Sequence, residues 1–167
     1  IISGNNISDY FNTNSSSSGI NVNSGNSAWT ISNNKLFQTA TRTYLAAATH
    51  NGISITSGSG YAITGNTIGY ANSAGTGTTN MVGLSSGALG GTFPSAYTVG
   101  GVANATRYVA INAAFTVAGT VSEIQDNTVA GFALYTSSGA ATTSGIFCGI
   151  AVTSGNVNIG TTTGNTI

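Results

Sequence analysis

Charge is what this sequence has least of. Its 167 residues include three Lys or Arg and three Asp or Glu, so 4% are charged, against about 25% in ordinary soluble domains. No basic stripe is there to neutralise phosphates, which argues against a nucleic-acid partner. The chain also lacks polybasic segments and apolar runs long enough to cross a bilayer, so we expect that it is not membrane-embedded.

Cysteine and histidine are each present once. With Cys148 alone, no intramolecular disulfide can form, and its apolar neighbours Ile146–Ile150 favour a small buried hydrophobe over a catalytic thiol. No second histidine accompanies His50 at metal-ligand spacing. We therefore expect His50 to be a hydrogen-bonded loop residue.

Helical patterns are also scarce, and Leu45–Ala48 is the best of them. What the sequence does have is 40% hydrophobic residues in periodic positions, with 24 glycines and one proline. A disordered chain of low hydrophobicity and high net charge has neither property. The pattern predicts short strands joined by tight corners, and hence an all-β fold.

The clearest pattern lies at 51–68, which reads NGISITSGSGYAITGNTI. Two period-2 strand patterns, Gly52–Ile55 and Tyr61–Ile63, precede a corner at Gly65–Asn66. Further copies occupy 19–36, 110–129 and 149–167, and residues 2–7 match the tail of one more. Such self-similarity is the signature of a repeat architecture.

The spacing of the copies favours stacked repeats. From the strand isoleucine to the corner asparagine the step is 13 to 16 residues, whereas successive corner asparagines are 29, 32, 61 and 38 residues apart. A solenoid keeps its core unit constant and varies its connecting loops. The 61-residue step contains a long loop excursion at 69–110, which either hides a degenerate repeat or is one large excursion. Within it, Met81–Leu84 could form an additional strand.

The corner asparagines are predicted to form a ladder. Asn tolerates the left-handed backbone of a sharp corner, and its amide can bond its counterpart in the next repeat. The predicted members are Asn5, Asn34, Asn66, Asn127 and Asn165.

These corners, best seen in Ile31–Leu36 and Ile63–Ile68, resemble the right-handed parallel β-helix repeat of the pectate-lyase-like superfamily. Thr162 stands where the last copy would have Ile. The resemblance implies an all-β, right-handed parallel β-helix of about five rungs. That superfamily hosts lyases, hydrolases, phage spikes and adhesins, and the uncharged Asn/Ser/Thr/Gly texture is most similar to large secreted bacterial surface proteins.

Catalytic residues are hard to assign. Glycoside hydrolysis needs two carboxylates at one bond, and the only carboxylate side chains in the sequence are Asp9, Glu123 and Asp126. A calcium site needs several carboxylate oxygens on one loop, and the sequence has no such loop. Lys35, Arg42 and Arg107 are the only strong cations. We expect no catalytic residue, no cofactor and no metal. Trp29, Tyr44, Tyr61 and Tyr97 are candidates for stacking on sugars, although aromatics more often anchor a core.

We therefore expect residues 1–167 to form a single β-helix segment, cut from or repeated within a longer chain because both ends fall mid-pattern. The expected role is structural and adhesive, non-catalytic, in an extracellular or cell-surface bacterial filament. Its partners would be copies of itself, further repeats, surface glycans or other cells. The alternative is a carbohydrate-binding or carbohydrate-degrading module whose active rungs lie elsewhere.

Overall fold

The structure, a computed structural model, describes residues 1–137 and 146–167. Within those ranges the chain forms strands, turns and loops, and no helix. The all-β prediction is confirmed, and Leu45–Ala48 lies outside any strand or helix. The sequence pattern at 145–148 also predicts a strand. Gly145 lies outside the described residues, and that strand is described from Phe147 onwards.

Three parallel sheets contain most of the strands, which are numbered β1 to β19 in chain order. Sheet 1 consists of β3 (Ser17–Val22), β7 (Thr49–Ile55), β14 (Arg107–Ala114) and β18 (Phe147–Ser154). Sheet 2 consists of β1 (Ile2–Ser3), β4 (Thr30–Ser32), β8 (Ala62–Thr64), β15 (Ser122–Gln125) and β19 (Val157–Ile159). Sheet 3 consists of β2 (Asn6–Ser8), β5 (Lys35–Phe37), β9 (Thr67–Gly69) and β16 (Thr128–Ala130).

In all three sheets the neighbouring strands come from successive repeats. In sheet 1, Ile53 lies opposite Ile20 on one side and Ile111 on the other, and Ile111 lies opposite Ile150. These four residues are the strand isoleucines that lie 13 to 16 residues before a corner asparagine. The register predicted by the repeat is therefore confirmed.

Segment 69–110 contains strands as well as loops. Strand β10 (Thr79–Ser86) pairs in parallel with β6 (Arg42–Tyr44) and β17 (Phe132–Tyr135), which confirms the strand predicted at Met81–Leu84. Strand β13 (Val102–Ala103) pairs antiparallel with β10, and β11 (Leu89–Thr92) forms a hairpin with β12 (Ala96–Val99). No repeat is hidden here, because Ile63 pairs directly with Ile124 across the 61-residue step.

One hydrophobic core is shared by the three sheets. Its clearest feature is the isoleucine column of sheet 2, in which each residue lies opposite the next: Ile2, Ile31, Ile63, Ile124 and Ile159. The three central members are fully buried, whereas Ile159 at the sheet edge is 45% exposed. In the last repeat the column position belongs to Ile159, so the alignment that placed Thr162 there was wrong.

Candidate functional site

The predicted asparagine ladder is confirmed, and it runs through every repeat. In each step the side-chain Nδ2 of one asparagine donates to the Oδ1 of the next. These distances are 2.9, 3.0, 2.9 and 2.9 Å for Asn5 to Asn34, Asn34 to Asn66, Asn66 to Asn127 and Asn127 to Asn165. The same Oδ1 also accepts the backbone N–H of the preceding asparagine, at 2.9 to 3.0 Å.

The second hydrogen of each amide is used as well. From Asn34 onwards, Nδ2 donates at 2.9 Å to a sheet 2 isoleucine carbonyl in the preceding repeat. Asn34, Asn66 and Asn127 are fully buried. Buried polar groups need partners, and a network in which every member is satisfied fixes one arrangement of the chain. The ladder therefore specifies which repeat neighbours which.

The left-handed backbone lies one residue before four of the five ladder asparagines, and the expectation that the asparagines themselves adopt it was wrong. The residues with positive φ are Gly4 (70°), Asn33 (55°), Gly65 (65°) and Asp126 (56°). The turn at that residue leaves the following asparagine free to point its amide into the ladder. Asn and Asp are the non-glycine residues that best accept this conformation.

Replacement of Gly65 by alanine is expected to lower the free energy of unfolding by about 1–2 kcal/mol, because a Cβ is strained at this φ. The new Cβ would also lie 2.6 Å from Oδ1 of Asn33. Gly65→Asn should cost less, since Asn33 and Asp126 fill the same corner elsewhere. Urea denaturation of the two variants checks this order, and equal losses would contradict the assignment of strain to the corner.

His50 lies on strand β7 and is fully buried, so its prediction as a loop residue was wrong. Its Nδ1 lies 2.8 Å from Ser17 Oγ, and its ring packs against Tyr44 and Phe11 at centroid distances of 4.3 and 5.7 Å. Its Nε2 and the Tyr44 hydroxyl have no hydrogen-bond partner among the described residues. Burial lowers the pKa of His50 to about 4.

A pH-dependent loss of stability follows from that pKa. The unfolded chain takes up a proton near the ordinary His pKa of 6.5, whereas the folded chain resists it until about pH 4. The stabilisation that neutral His50 contributes should therefore be fully present above pH 6.5. The free energy of unfolding should fall by about 1–3 kcal/mol as the pH drops to 4. Denaturant titrations across this window measure the slope. His50 is the only histidine, so His50→Gln should flatten it, and an unchanged slope in that variant would refute the assignment.

A groove of about 880 Å³ runs along sheet 1. Its lining includes Asn51 and Asn112, which share a hydrogen bond of 3.2 Å, together with Thr49. Cys148, expected to be buried, is half-buried here and donates its Sγ–H to the Ile150 carbonyl at 3.3 Å. None of the lining residues is charged. The groove can therefore offer hydrogen bonds and apolar contact, and no strong electrostatic attraction.

The carboxylates of Asp9 and Glu123 accept hydrogen bonds from neighbouring repeats. Asp9 accepts hydrogen bonds from Gln38 Nε2 at 2.7 Å and from Thr39 Oγ1 at 2.8 Å, which ties the first repeat to the second. In the fourth repeat, Glu123 accepts from Gln125 and Asn158, each at 2.8 Å. Asp126 is exposed at its left-handed corner. Over the described ranges, no three His, Cys, Asp or Glu residues are grouped so that they could hold a metal.

Two of the three cations, Arg42 and Lys35, donate hydrogen bonds to backbone carbonyls. Arg42 donates to the Phe11 carbonyl through Nη2 at 2.8 Å and through Nε at 3.1 Å. Lys35 Nζ donates to the Ser73 carbonyl at 2.6 Å. Both side chains thus fasten neighbouring segments to each other.

The four candidate sugar-stacking aromatics separate by exposure. Tyr44 and Tyr61 are core residues with at most 1% exposure, and Trp29 is partly buried against the core. Tyr97 on the hairpin is 41% exposed, with its ring 5.3 Å from that of Phe93 and 5.7 Å from that of Tyr135. Of the four, Tyr97 is the one whose ring is most open to an outside partner.

Comparisons with known proteins identify no relative: no family model, curated protein or solved structure matches the chain. No helix long and apolar enough to cross a membrane occurs in residues 1–137 and 146–167.

Proposed function

We propose that the chain is a right-handed parallel β-helix of about five rungs and serves as a structural, non-catalytic segment of an extracellular bacterial surface protein or filament. The observation that carries this proposal is the asparagine ladder, which links all five repeats without interruption. The strand order gives further support. Each full repeat contributes one strand to sheet 1, then one to sheet 2, then one to sheet 3.

The mechanical role follows from the direction of the hydrogen bonds. In this architecture the bonds between strands run along the helix axis, and neighbouring strands are about 4.8 Å apart. Separating two repeats requires the loss of strand pairing in three sheets and of the amide bonds between two asparagines. Such a segment resists extension along its axis and presents little unfolded backbone to proteases.

We assign adhesion to the segments that project from the three stacked sheets. The β11–β12 hairpin carries Tyr97, and Val99 beside it is 49% exposed. Low overall charge permits close lateral packing, because few charged groups lose water when two copies meet. Loops of this kind, held on a rigid frame, are where contact residues concentrate.

Two measurements test the mechanical proposal. Immunogold labelling of intact producing cells should mark the cell surface, and labelling confined to the interior would overturn the surface role. Single-molecule stretching should show a high-force unfolding event, which Asn66→Ala lowers and Asn23→Ala, at an exposed site outside the ladder, does not. Unfolding at low force in the parent chain would contradict the mechanical role.

A second candidate, carbohydrate binding, is favoured by the uncharged groove on sheet 1 with Asn51, Asn112 and Thr49 in its lining. Amide and hydroxyl groups suit sugar hydroxyls as hydrogen-bond partners. A glycan array with the parent chain, and with Asn112→Ala as the groove variant, tests it. Binding lost in that variant would support the groove as a sugar site, and an absence of binding would leave the structural role alone.

A further inference from the structure

We propose that the cleft between the β11–β12 hairpin and the strands beneath it binds a single neutral pyranose ring of a glycan. This inference deepens the adhesive role assigned to the hairpin and rests on that role. The hairpin cleft has a volume of about 220 Å³, with Thr41, Thr43 and Val82 on one side and Leu89 and Phe93 on the other. Pockets for drug-sized ligands have volumes of about 300–1,000 Å³, so the hairpin cleft suits one small ring.

The floor of the hairpin cleft is one face of two paired strands. Val82 of β10 lies opposite Thr43 of β6, and Thr41 lies on the same face because side chains alternate along a strand. Val82 is buried, Thr43 is half-buried and Thr41 is exposed. The floor therefore presents two hydroxyl groups beside one apolar side chain. Since β6 and β10 follow different repeats, this floor exists only when those repeats are stacked.

The polar groups of the floor have hydrogen-bonding capacity to spare. Asn80 donates its Nδ2–H to Thr41 Oγ1 at 3.4 Å, which leaves Thr41 its own O–H as a donor. Thr43 Oγ1 has no hydrogen-bond partner among the described residues. Asn80 Oδ1 is buried and likewise unpaired within 1–137 and 146–167. Buried polar groups are normally paired, so this floor favours a ligand that brings its own donors and acceptors.

The roof of the hairpin cleft is apolar, and three aromatic rings hold it in place. The half-buried ring of Phe93 packs edge-on against Tyr97, with 5.3 Å between centroids. The ring of Tyr97 in turn lies 5.7 Å from that of Tyr135 on β17, which is itself paired with β10. The hairpin is thus connected to the sheet below it, and the hairpin cleft is formed before any ligand arrives.

A neutral pyranose matches both surfaces. One face of such a ring carries C–H groups that pack on an aromatic ring, and its rim carries hydroxyls that both donate and accept hydrogen bonds. None of the residues that line the hairpin cleft is charged. A carboxylate or ammonium group placed there would lose water without gaining a partner of opposite charge. The lining therefore selects a neutral ring over a charged one.

Saturation-transfer difference NMR of the purified chain with methyl glucoside, methyl galactoside and methyl mannoside tests the proposal. We expect saturable binding of at least one of these pyranosides. Phe93→Ala should weaken it about tenfold, because the stacking ring is lost. Thr43→Val keeps the shape of the floor but removes a hydroxyl, and should weaken binding about three- to tenfold. Phe93→Tyr, which retains a ring, and Asn23→Ala, which is distant in the sequence, should bind as the parent does.

Two further compounds test the class of ligand. A methyl glucuronide carries a carboxylate on the same ring and should bind at least tenfold more weakly than the glucoside. Sorbitol has the hydroxyls without the ring and should not bind. A glucuronide that binds as tightly as the glucoside, or sorbitol that binds as tightly as the pyranosides, would overturn the assignment of a neutral ring.

The variants also test the location. Sugar binding that Asn112→Ala removes and Phe93→Ala leaves intact would place the sugar in the groove on sheet 1 and overturn the hairpin cleft as its site. Binding that neither Phe93→Ala nor Thr43→Val weakens would do the same. Circular dichroism spectra and melting curves establish that each variant is folded before its binding is compared.

Failure of this proposal can be told apart from failure of the structural role. A chain that labels the cell surface and unfolds at high force, yet binds none of the three pyranosides, would overturn the hairpin cleft alone. A chain that binds a pyranoside with the expected response to the variants, but is absent from the cell surface, would overturn the proposed surface role and leave the binding site standing.

Discussion

Replacing Asn66 by alanine is expected to lower the free energy of unfolding by about 3–5 kcal/mol, as two buried donors then lose their acceptor at about 1–3 kcal/mol each. Those donors are the backbone N–H and Nδ2 of Asn34. The substitution also removes the Nδ2 donors to Asn127 Oδ1 and to the Ile31 carbonyl, at 2.9 Å each. Denaturant unfolding monitored by circular dichroism measures the difference.

Asn5 provides the matched control within the same ladder. It is exposed, and its Oδ1 accepts no hydrogen bond among the described residues. Asn5→Ala should therefore cost about 1 kcal/mol or less, because Asn34 Oδ1 keeps the Asn5 backbone N–H as a donor and no buried donor loses its acceptor. Equal losses at Asn5 and Asn66 would show that the buried network contributes nothing beyond a single exposed side chain.

Ile63→Ala is the second large effect, with an expected loss of about 2–5 kcal/mol from the removed apolar surface and the cavity left behind. Ile63 is fully buried at the centre of the isoleucine column, between Ile31 and Ile124. Close packing above and below limits how far the neighbours can relax. The same denaturation measurement applies.

Ile159→Ala makes the same chemical change at the edge of that column. Since Ile159 is already 45% exposed, its truncation should cost about 1 kcal/mol in the monomer. The ratio between the two variants measures how much one repeat depends on being covered by the next. A loss at Ile159 as large as that at Ile63 would mean that burial along the column does not set stability.

The sequence was enough to predict the repeat, its register and the ladder, because each depends on spacing alone. Residues 20, 53, 111 and 150 lie opposite one another, and a similar count of 13 to 16 residues separates each from its corner. The ladder followed because an amide carries both a donor and an acceptor, and can therefore continue from one repeat to the next.

Other features depend on tertiary packing and could not be predicted from spacing. His50 is polar and precedes Asn51–Gly52, which suggested a loop, yet strand pairing in sheet 1 places it opposite Ser17 and Tyr108 in the core. Strand β10 was predicted only as a possibility, because its partners β6 and β17 lie in other repeats. Extra residues lie between Ile159 and Asn165 in the last repeat. An alignment anchored on Asn165 therefore placed Thr162, and not Ile159, at the position of the isoleucine column.

The candidate binding surfaces were the least predictable part. The groove on sheet 1 combines side chains from separate repeats, and Cys148 entered it although its apolar neighbours suggested full burial. Tyr44, Tyr61 and Tyr97 have similar surroundings in sequence, but the first two are core residues and the third is exposed. Side-chain exposure in a repeat fold depends on what the neighbouring repeats cover.

The account depends most on the order of the five asparagines, and solution NMR of the side-chain amides measures it directly. Nuclear Overhauser contacts and couplings across the hydrogen bonds should connect the Nδ2 groups in one line, from Asn5 through Asn34, Asn66 and Asn127 to Asn165. Amide groups that show no mutual contacts, or that connect in a different order, would contradict the stacking of repeats on which both proposals depend.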